Sequence, residues 1–388
     1  MKKYLYLLSF IAVGLFTLSA CGDDDENDGG DDGKSRTALA CVEQMIDGCI
    51  DISSEVGDAK IGEPHDLYRL GKTEQALYAV ESWYSWHSKE DYANNIRSIR
   101  NTYYGSLDGT VSSKSLSAVV AKNKASLDNS VKQAISAAIE AINAIPTPFR
   151  NNIGSTEAKK AMDACTDLCD VLEDLKGYFQ NTNTVNTDDI LNSVVDNYVD
   201  VVVLPTYKAL KEKNAALNNI VKAFAQNPSD DNFKAVCDAW LAARQPWETS
   251  EAFLFGPVDA LGLDPNMDSW PLDQSAIVDI LNSGNFDNLN WSDGDNDDDI
   301  EAKQSVRGFH TLEFLAFKNG KARTMNDGTS TDPKDLDYTS ANKASWANYM
   351  RQVAYLLEQD ANSLYAAWTE SYEGGKSYAA QFKAHTVK

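Results

Sequence analysis

The chain has 388 residues, 43% of them hydrophobic, and carries 58 acidic against 35 basic side chains for a formal charge of -23. That length corresponds to about two domains at ~150 residues each, with apolar material enough for substantial cores. So anionic a surface repels phosphate backbones and acidic lipid, which argues against nucleic acid as a partner and is compatible with cations, though net charge alone also serves solubility.

Met1-Lys2-Lys3 is a basic start, and residues 4–18 form an apolar run too short for a comfortable membrane span. Leu18-Ser19-Ala20-Cys21 comes next and resembles the lipobox of bacterial lipoproteins. Residues 1–20 are therefore expected to be a lipoprotein signal peptide, with cleavage before Cys21 and lipidation there. An ordinary signal peptide would equally mean export. Loss of Lys2 and Lys3 takes the charge from -23 to -25. Residues 21–34 are acidic, with nothing apolar to bury after Cys21, and are expected to be a disordered tether. Five cysteines remain, Cys41, Cys49, Cys165, Cys169 and Cys237, an odd number that cannot all pair within one chain.

Helical period dominates the chain from residue 35 onward. A helix is expected over 35–59, broken by Lys60-Ile61-Gly62-Glu63-Pro64. A second helical region carries Glu74 to Leu77 and leads to Glu81-Ser82-Trp83-Tyr84-Ser85, and Asp91 opens a short helix closed by Gly105. Residues 115–145 read as one long amphipathic helix stopped by Pro146 and Pro148. Residues 156–179 read as another, with Ser155 as N-cap, before a polar linker at 180–187. The second half repeats this architecture. Residues 188–225 are helical with Pro205 as a kink or split, and 229–243 form the next helix. Pro246 is suited to the first turn of a further helix carrying Trp247, Glu248, Ser250 and Glu251. Residues 261–299 read as irregular, with Trp270-Pro271-Leu272 and a short helix near 274–281. Residues 293–299 open like a calcium loop. The required Gly and Glu are replaced by Asp298 and Gln304, so a solvated acidic loop fits better. The apolar run 306–317 holds Gly308-Phe309-His310-Thr311-Leu312-Glu313, and a last long helix spans 341–372. The expected class is all-α, two helical-bundle domains over 35–187 and 188–388, related by internal duplication.

Three polar clusters interrupt apolar helices: Glu81, Ser82, Ser85, Ser88 and Asp91; Arg244, Trp247, Glu248, Ser250 and Glu251; and His310 with Glu313. The i,i+3 spacing of His310 and Glu313 points both heads the same way on a helix apolar enough to be buried. A buried imidazole and carboxylate require partners, since an unpaired buried polar group costs about 1–3 kcal/mol. A core His–Glu hydrogen bond would meet that requirement, and so would a shared metal, proton or ligand.

Together the motifs resemble the imelysin-like family. Its Gly-x-His-x-x-Glu signature stands at Gly308, His310 and Glu313, and its Arg-x-x-Trp-Glu-x-Ser-Glu run at Arg244, Trp247, Glu248, Ser250 and Glu251. Trp270-Pro271-Leu272, the Val-Leu-Pro-x-Tyr segment ending at Tyr207, the Glu-Ser-x-x-Ser block at Glu81, Ser82 and Ser85, and the Lys60 to Pro64 block complete the match. The order departs from the family's, since Glu81 here precedes His310, which implies a circular permutation. The resemblance implies two helical bundles with a site between them, and a likeness to the periplasmic binding component of ferrous-iron uptake systems. It thus suggests a lipid-anchored envelope protein, periplasmic or surface-facing, that binds iron, another divalent cation or an iron-bearing ligand and works with iron-uptake partner proteins. His310 and Glu313 would be metal ligands, Glu248 and Glu251 supporting carboxylates, and Arg244 the residue orienting them. Arg244, Trp247, Glu248, Ser250, Glu251, Glu81, Ser82 and Ser85 would line the binding site. The family's peptidase name supplies an alternative, a metallopeptidase using His310, Glu313 and Glu248. The residue after Glu313 is Phe314, however, so the second histidine of the His-Glu-x-x-His and His-x-x-Glu-His motifs is missing. A helical scaffold without a small ligand is the third reading.

Overall fold

The computed structural model describes residues 37–181, 188–286, 289–292, 294–325, 337–339 and 342–387. The signal segment, Cys21, the acidic tether, linker residues 182–187, Asp293 and Ala341 lie outside the described residues.

Helix α1 (Ala38–Ser54) passes through a π-helical turn, Glu55–Gly62, into α2 (Glu63–Arg69). The break expected at 60–64 does not occur. Pro64 falls in the first turn of α2, where its missing N–H costs little, and the wider π turn precedes it. After α3 (Thr73–Tyr78) the chain is irregular, with positive φ at Ser82 and Trp86, until α4 (Ser88–Tyr104), which starts before Asp91 and ends on left-handed Gly105. The single helix expected over 115–145 is two, α5 (Leu116–Asn123) and α6 (Ala125–Ala144), separated at Lys124 with φ -145. No glycine or proline announces that break. In α7 (Thr156–Asn181) the buried residues Ala158, Ala161, Cys165, Leu168, Leu172, Leu175 and Phe179 alternate three- and four-residue steps, and Ser155 Oγ accepts the Ala158 N–H at 3.1 Å.

Pro205 is accommodated as Pro64 is: α8 (Asp188–Asn197) continues through a π segment, Tyr198–Val203, into α9 (Leu204–Gln226). Helix α10 (Asp230–Glu248) does not stop at 243. Pro246 sits inside its last turn rather than opening a new helix, and a 3-10 turn, Glu251–Phe253, comes after it. Helix α11 (Pro257–Ala260) comes next, and the region expected to be irregular, 261–299, holds α12 (Leu263–Asp268) and the start of α14 (Asp297–Gln304) besides α13 (Gln274–Ser283), which falls on the short helix expected near 274–281. Asp297, Asp298 and Asp299 are the first turn of α14, capped by Asn296, where carboxylates complement the helix dipole. Helix α15 (Gly308–Ala316) runs into a two-residue antiparallel hairpin, β1 (Phe317–Lys318) and β2 (Lys321–Ala322), with Phe317 opposite Ala322. Helices α16 (Lys343–Thr369) and α17 (Tyr378–Lys383) complete the chain. Among the described residues the fold is all-α apart from that hairpin, and the five cysteines there are free thiols.

Helices α1, α4, α6 and α7 pack on one another in sequence, while α9 lies against both α10 and α16. Helix α15 packs on α10, α12 and α16, which explains why it is apolar on every side. All nine of its residues are buried. Each of Phe309, Leu312 and Leu315 there contributes about 1.5–3 kcal/mol by leaving water. Helix α10 also meets α4, and the 251–253 turn packs on α1 and α4. The charged residues on α4, α10, α12 and α15 therefore face a shared interior.

Candidate functional site

The site begins with the glycine of the Gly-x-His-x-x-Glu motif. Gly308 has φ +84, and a Cβ there would stand 2.5 Å from the Met267 carbonyl oxygen. Its bare backbone lets α12 lie close over the start of α15. That contact sets Asp268, the last residue of α12, beside His310.

His310 is fully enclosed, and both of its ring nitrogens are engaged. Nδ1 lies 2.9 Å from Glu313 Oε2, and Nε2 lies 3.1 Å from Asp268 Oδ1 and 3.4 Å from Arg244 Nη2. Burial and the Arg244 guanidinium disfavour the charged ring. The hydrogen bonds to Asp268 and Glu313 outweigh them and hold its pKa up to about 9. The ring is thus an imidazolium at neutral pH, with the Trp270 ring edge-on at 4.8 Å between centroids. Glu313 is equally engaged, because its Oε1 accepts the Tyr84 and Ser85 amides at 3.1 and 2.7 Å. The pair anchors the irregular 79–87 segment to α15, and the protonated ring offers no lone pair to a metal.

Arg244, also fully buried, is the hub. Because α10 runs on through Pro246, Arg244 and Glu248 are i,i+4 partners, with Nη2 2.7 Å from Glu248 Oε1. Its Nη1 hydrogen-bonds Asp268 Oδ1, and its Nε lies 3.5 Å from Asp91 Oδ2. Trp247 Nε1 donates to Asp268 Oδ2 at 2.7 Å. Burial opposes ionisation of Asp268, but Arg244 and His310 prevail and lower its pKa. Asp91 is likewise lowered, against burial, by His87 and Arg244. Its Oδ1 is 2.8 Å from His87 Nδ1, and its Oδ2 accepts the Ser82 hydroxyl at 2.5 Å.

A second set of carboxylates adjoins this one. Lys60, buried, stands 3.3 Å from Glu55, 3.4 Å from Glu81 and 4.0 Å from Glu251. Glu248, Glu251 and Asp268 each present an oxygen within 4.8 Å of the others, a spacing a metal ion can bridge. Burial pushes the Glu248 carboxyl up to about 8 despite Arg244, and raises that of Glu251 well above the usual carboxylate range despite Lys60. Asn95 Nδ2 donates to Glu248 Oε2 at 2.7 Å, while its Oδ1, in a fully buried side chain, receives no hydrogen bond.

The structure thus merges the three polar clusters of the sequence into one. Glu81, Ser82, Arg244, Trp247, Glu248, Glu251, His310 and Glu313 share a continuous network. Ser85 contributes its amide to Glu313, while Ser250 turns its hydroxyl back to the Trp247 carbonyl at 2.6 Å within its own turn. Sequence reasoning missed Asp268 and Asn95, and placed Lys60 and Asp91 only as members of motif blocks. Asp268 lies just ahead of Trp270-Pro271-Leu272, the one local signal that could have singled it out.

The chain is similar to known proteins. Iron-regulated protein A of Synechococcus elongatus is 31% identical over 129 residues, 33% of this chain and 32% of that protein, so the chain spans about a third of that relative. The crystal structure of an imelysin peptidase from Bacteroides ovatus is 61% identical, with a TM-score of 0.74, over 74% of this chain and 82% of that one. The imelysin family model matches residues 24–175 and 203–388, most of the sequence, and the chain accordingly belongs to the imelysin family.

Proposed function

We propose that this protein binds a metal cation, iron being the leading candidate, at the carboxylates of Glu248, Glu251 and Asp268, as an envelope component of iron uptake. The observation that carries the proposal is the convergence of those three carboxylates to within 4.8 Å in the interior. An all-oxygen donor set suits hard cations, and a divalent ion would replace the proton that burial otherwise keeps on Glu248. Arg244 and the His310–Glu313 pair then act behind the ligands, fixing Asp268 and Glu248 in place as outer partners do in metal sites. This moves ligation away from His310, whose protonated ring has no lone pair to offer, and from its partner Glu313. The name of the Synechococcus relative supports iron as the cargo.

The proposal includes export and lipid anchoring through Cys21, supported by the order of basic start, apolar run, small residues and cysteine. It also includes a permuted chain order, supported by the Glu81 block preceding His310, and partner proteins that deliver or receive the cation. A peptidase reading would need Glu313 or Glu248 as base toward a metal-bound water. Glu313 holds two amides and an imidazolium, which favours binding over hydrolysis.

Calorimetric titration of the chain from residue 35 onward with ferrous, ferric, zinc and calcium ions tests the reading. Saturable binding that is lost in Glu248→Gln and Glu251→Gln is expected. Binding retained in both variants, or no binding by the folded wild type, refutes the site. Radiolabelled fatty acid incorporated by the wild type and not by Cys21→Ala tests the anchor, and a peptide-hydrolysis assay on the metal-loaded protein tests the alternative.

A further inference from the structure

We infer that the Lys60 ammonium is a resident cation at the carboxylate site, and that it is displaced toward Glu55 when a metal ion enters. The inference rests on the metal-binding function proposed for Glu248, Glu251 and Asp268, and adds the competitor that would set the site's affinity.

The two buried cations of the cluster are held very differently. Arg244 makes close directional contacts to Asp268 and, at 2.7 Å, to Glu248. Lys60 comes no nearer than 3.3 Å to any of its three carboxylates, and Glu81 Oε2, one of the oxygens it faces, receives no hydrogen bond. The ammonium is thus retained by charge rather than by geometry. Glu251 belongs to both sets: it is 4.0 Å from Lys60 and one of the three carboxylates that can converge on a metal. A metal ion seated there and the ammonium would repel each other across a few ångströms of low-dielectric interior.

The backbone supplies an outlet. Lys60 and Glu55 lie five residues apart, a separation that in an α-helix turns side chains about 140° away from each other. The π-helical turn Glu55–Gly62 stacks them instead, as i,i+5 hydrogen bonding does. The Glu55 side chain is 50% exposed, against 5% for Glu251. Lys60 therefore has a carboxylate partner on the solvent side that it keeps on moving outward. Asn95, whose Nδ2 donates to Glu248, leaves its buried Oδ1 as an acceptor without a donor in the same interior.

The test compares wild type, Lys60→Met and Lys60→Arg, titrated with manganous ion and, without oxygen, with ferrous ion. Lys60→Met should bind at least about tenfold more tightly than wild type, and Lys60→Arg within about threefold of it. Equal or weaker binding by Lys60→Met overturns the inference while leaving the metal site standing. No binding by wild type or variant overturns both. An arm independent of variant folding labels wild-type amines with an acetylating ester and reads them by mass spectrometry. Lys60 labelling should rise severalfold when manganous ion is bound, and unchanged or reduced labelling overturns the inference.

Discussion

Gly308→Ala probes the contact from which the whole site is built. An L-residue at φ +84 carries a backbone penalty of about 1–2 kcal/mol. The new Cβ would also meet the Met267 carbonyl oxygen at 2.5 Å, its carbon at 2.8 Å and the Asn266 oxygen at 2.9 Å. All three atoms are backbone and cannot rotate away, so α12 must shift, adding about 1–3 kcal/mol as overpacking does. The expected loss is then about 2–5 kcal/mol, the sum of the two ranges. Gly374→Ala is the control, with φ +71 and nothing within 4 Å of its Cβ, so it bears the backbone penalty alone. Urea denaturation at neutral pH measures both. Because the shift carries Asp268 away from Arg244 and His310, cation affinity should also fall in Gly308→Ala and not in Gly374→Ala. A Gly308→Ala protein no less stable than Gly374→Ala would refute the argument that close approach of α12 is what the motif glycine provides.

The same geometry has other measurable outcomes. His310→Ala removes an imidazolium flanked by Asp268, Glu313 and Arg244, and should cost about 3–5 kcal/mol at neutral pH by chemical denaturation. The folded-state pKa of His310, about 9, lies above its ordinary 6.5. Its charge-dependent stabilisation is therefore full below pH 6.5 and lost as pH rises through 9, so the gap between wild type and variant should narrow toward pH 10. Glu248, raised to about 8, carries a proton at neutral pH, and cation binding should release it. Calorimetry in buffers of different ionisation enthalpy should show that release at pH 7, and it should fade as pH rises past 8. Glu313→Ala frees the Tyr84 and Ser85 amides, whose hydrogen exchange should accelerate.

The elements that local chemistry controls were readable without coordinates. The three-and-four spacing in α7 needs only one apolar face against neighbours, and Ser155 and Gly105 mark helix ends through their own backbone preferences. Pro64 and Pro246 misled, because each tolerates more than one setting. A π turn ahead of Pro64 or Pro205, or the last turn of α10 for Pro246, absorbs the missing N–H, and packing against neighbouring helices decides which setting is used. The Lys124 break between α5 and α6 has no local marker at all.

The sequence by itself determined that His310 and Glu313 are buried and need partners, since an apolar helix cannot leave an imidazole and a carboxylate unpaired. The Arg244–Glu248 pair depends on α10 running on through Pro246, which the sequence did not show. Only the tertiary structure decided who the partners are. Asp268 comes from a short helix without a periodic signal, Lys60 from a π turn and Asp91 from α4, each far along the chain from His310. Spacing rules reach three or four residues along one helix, whereas a buried charge is balanced by whatever the fold brings within a few ångströms, and that proximity is a property of packing.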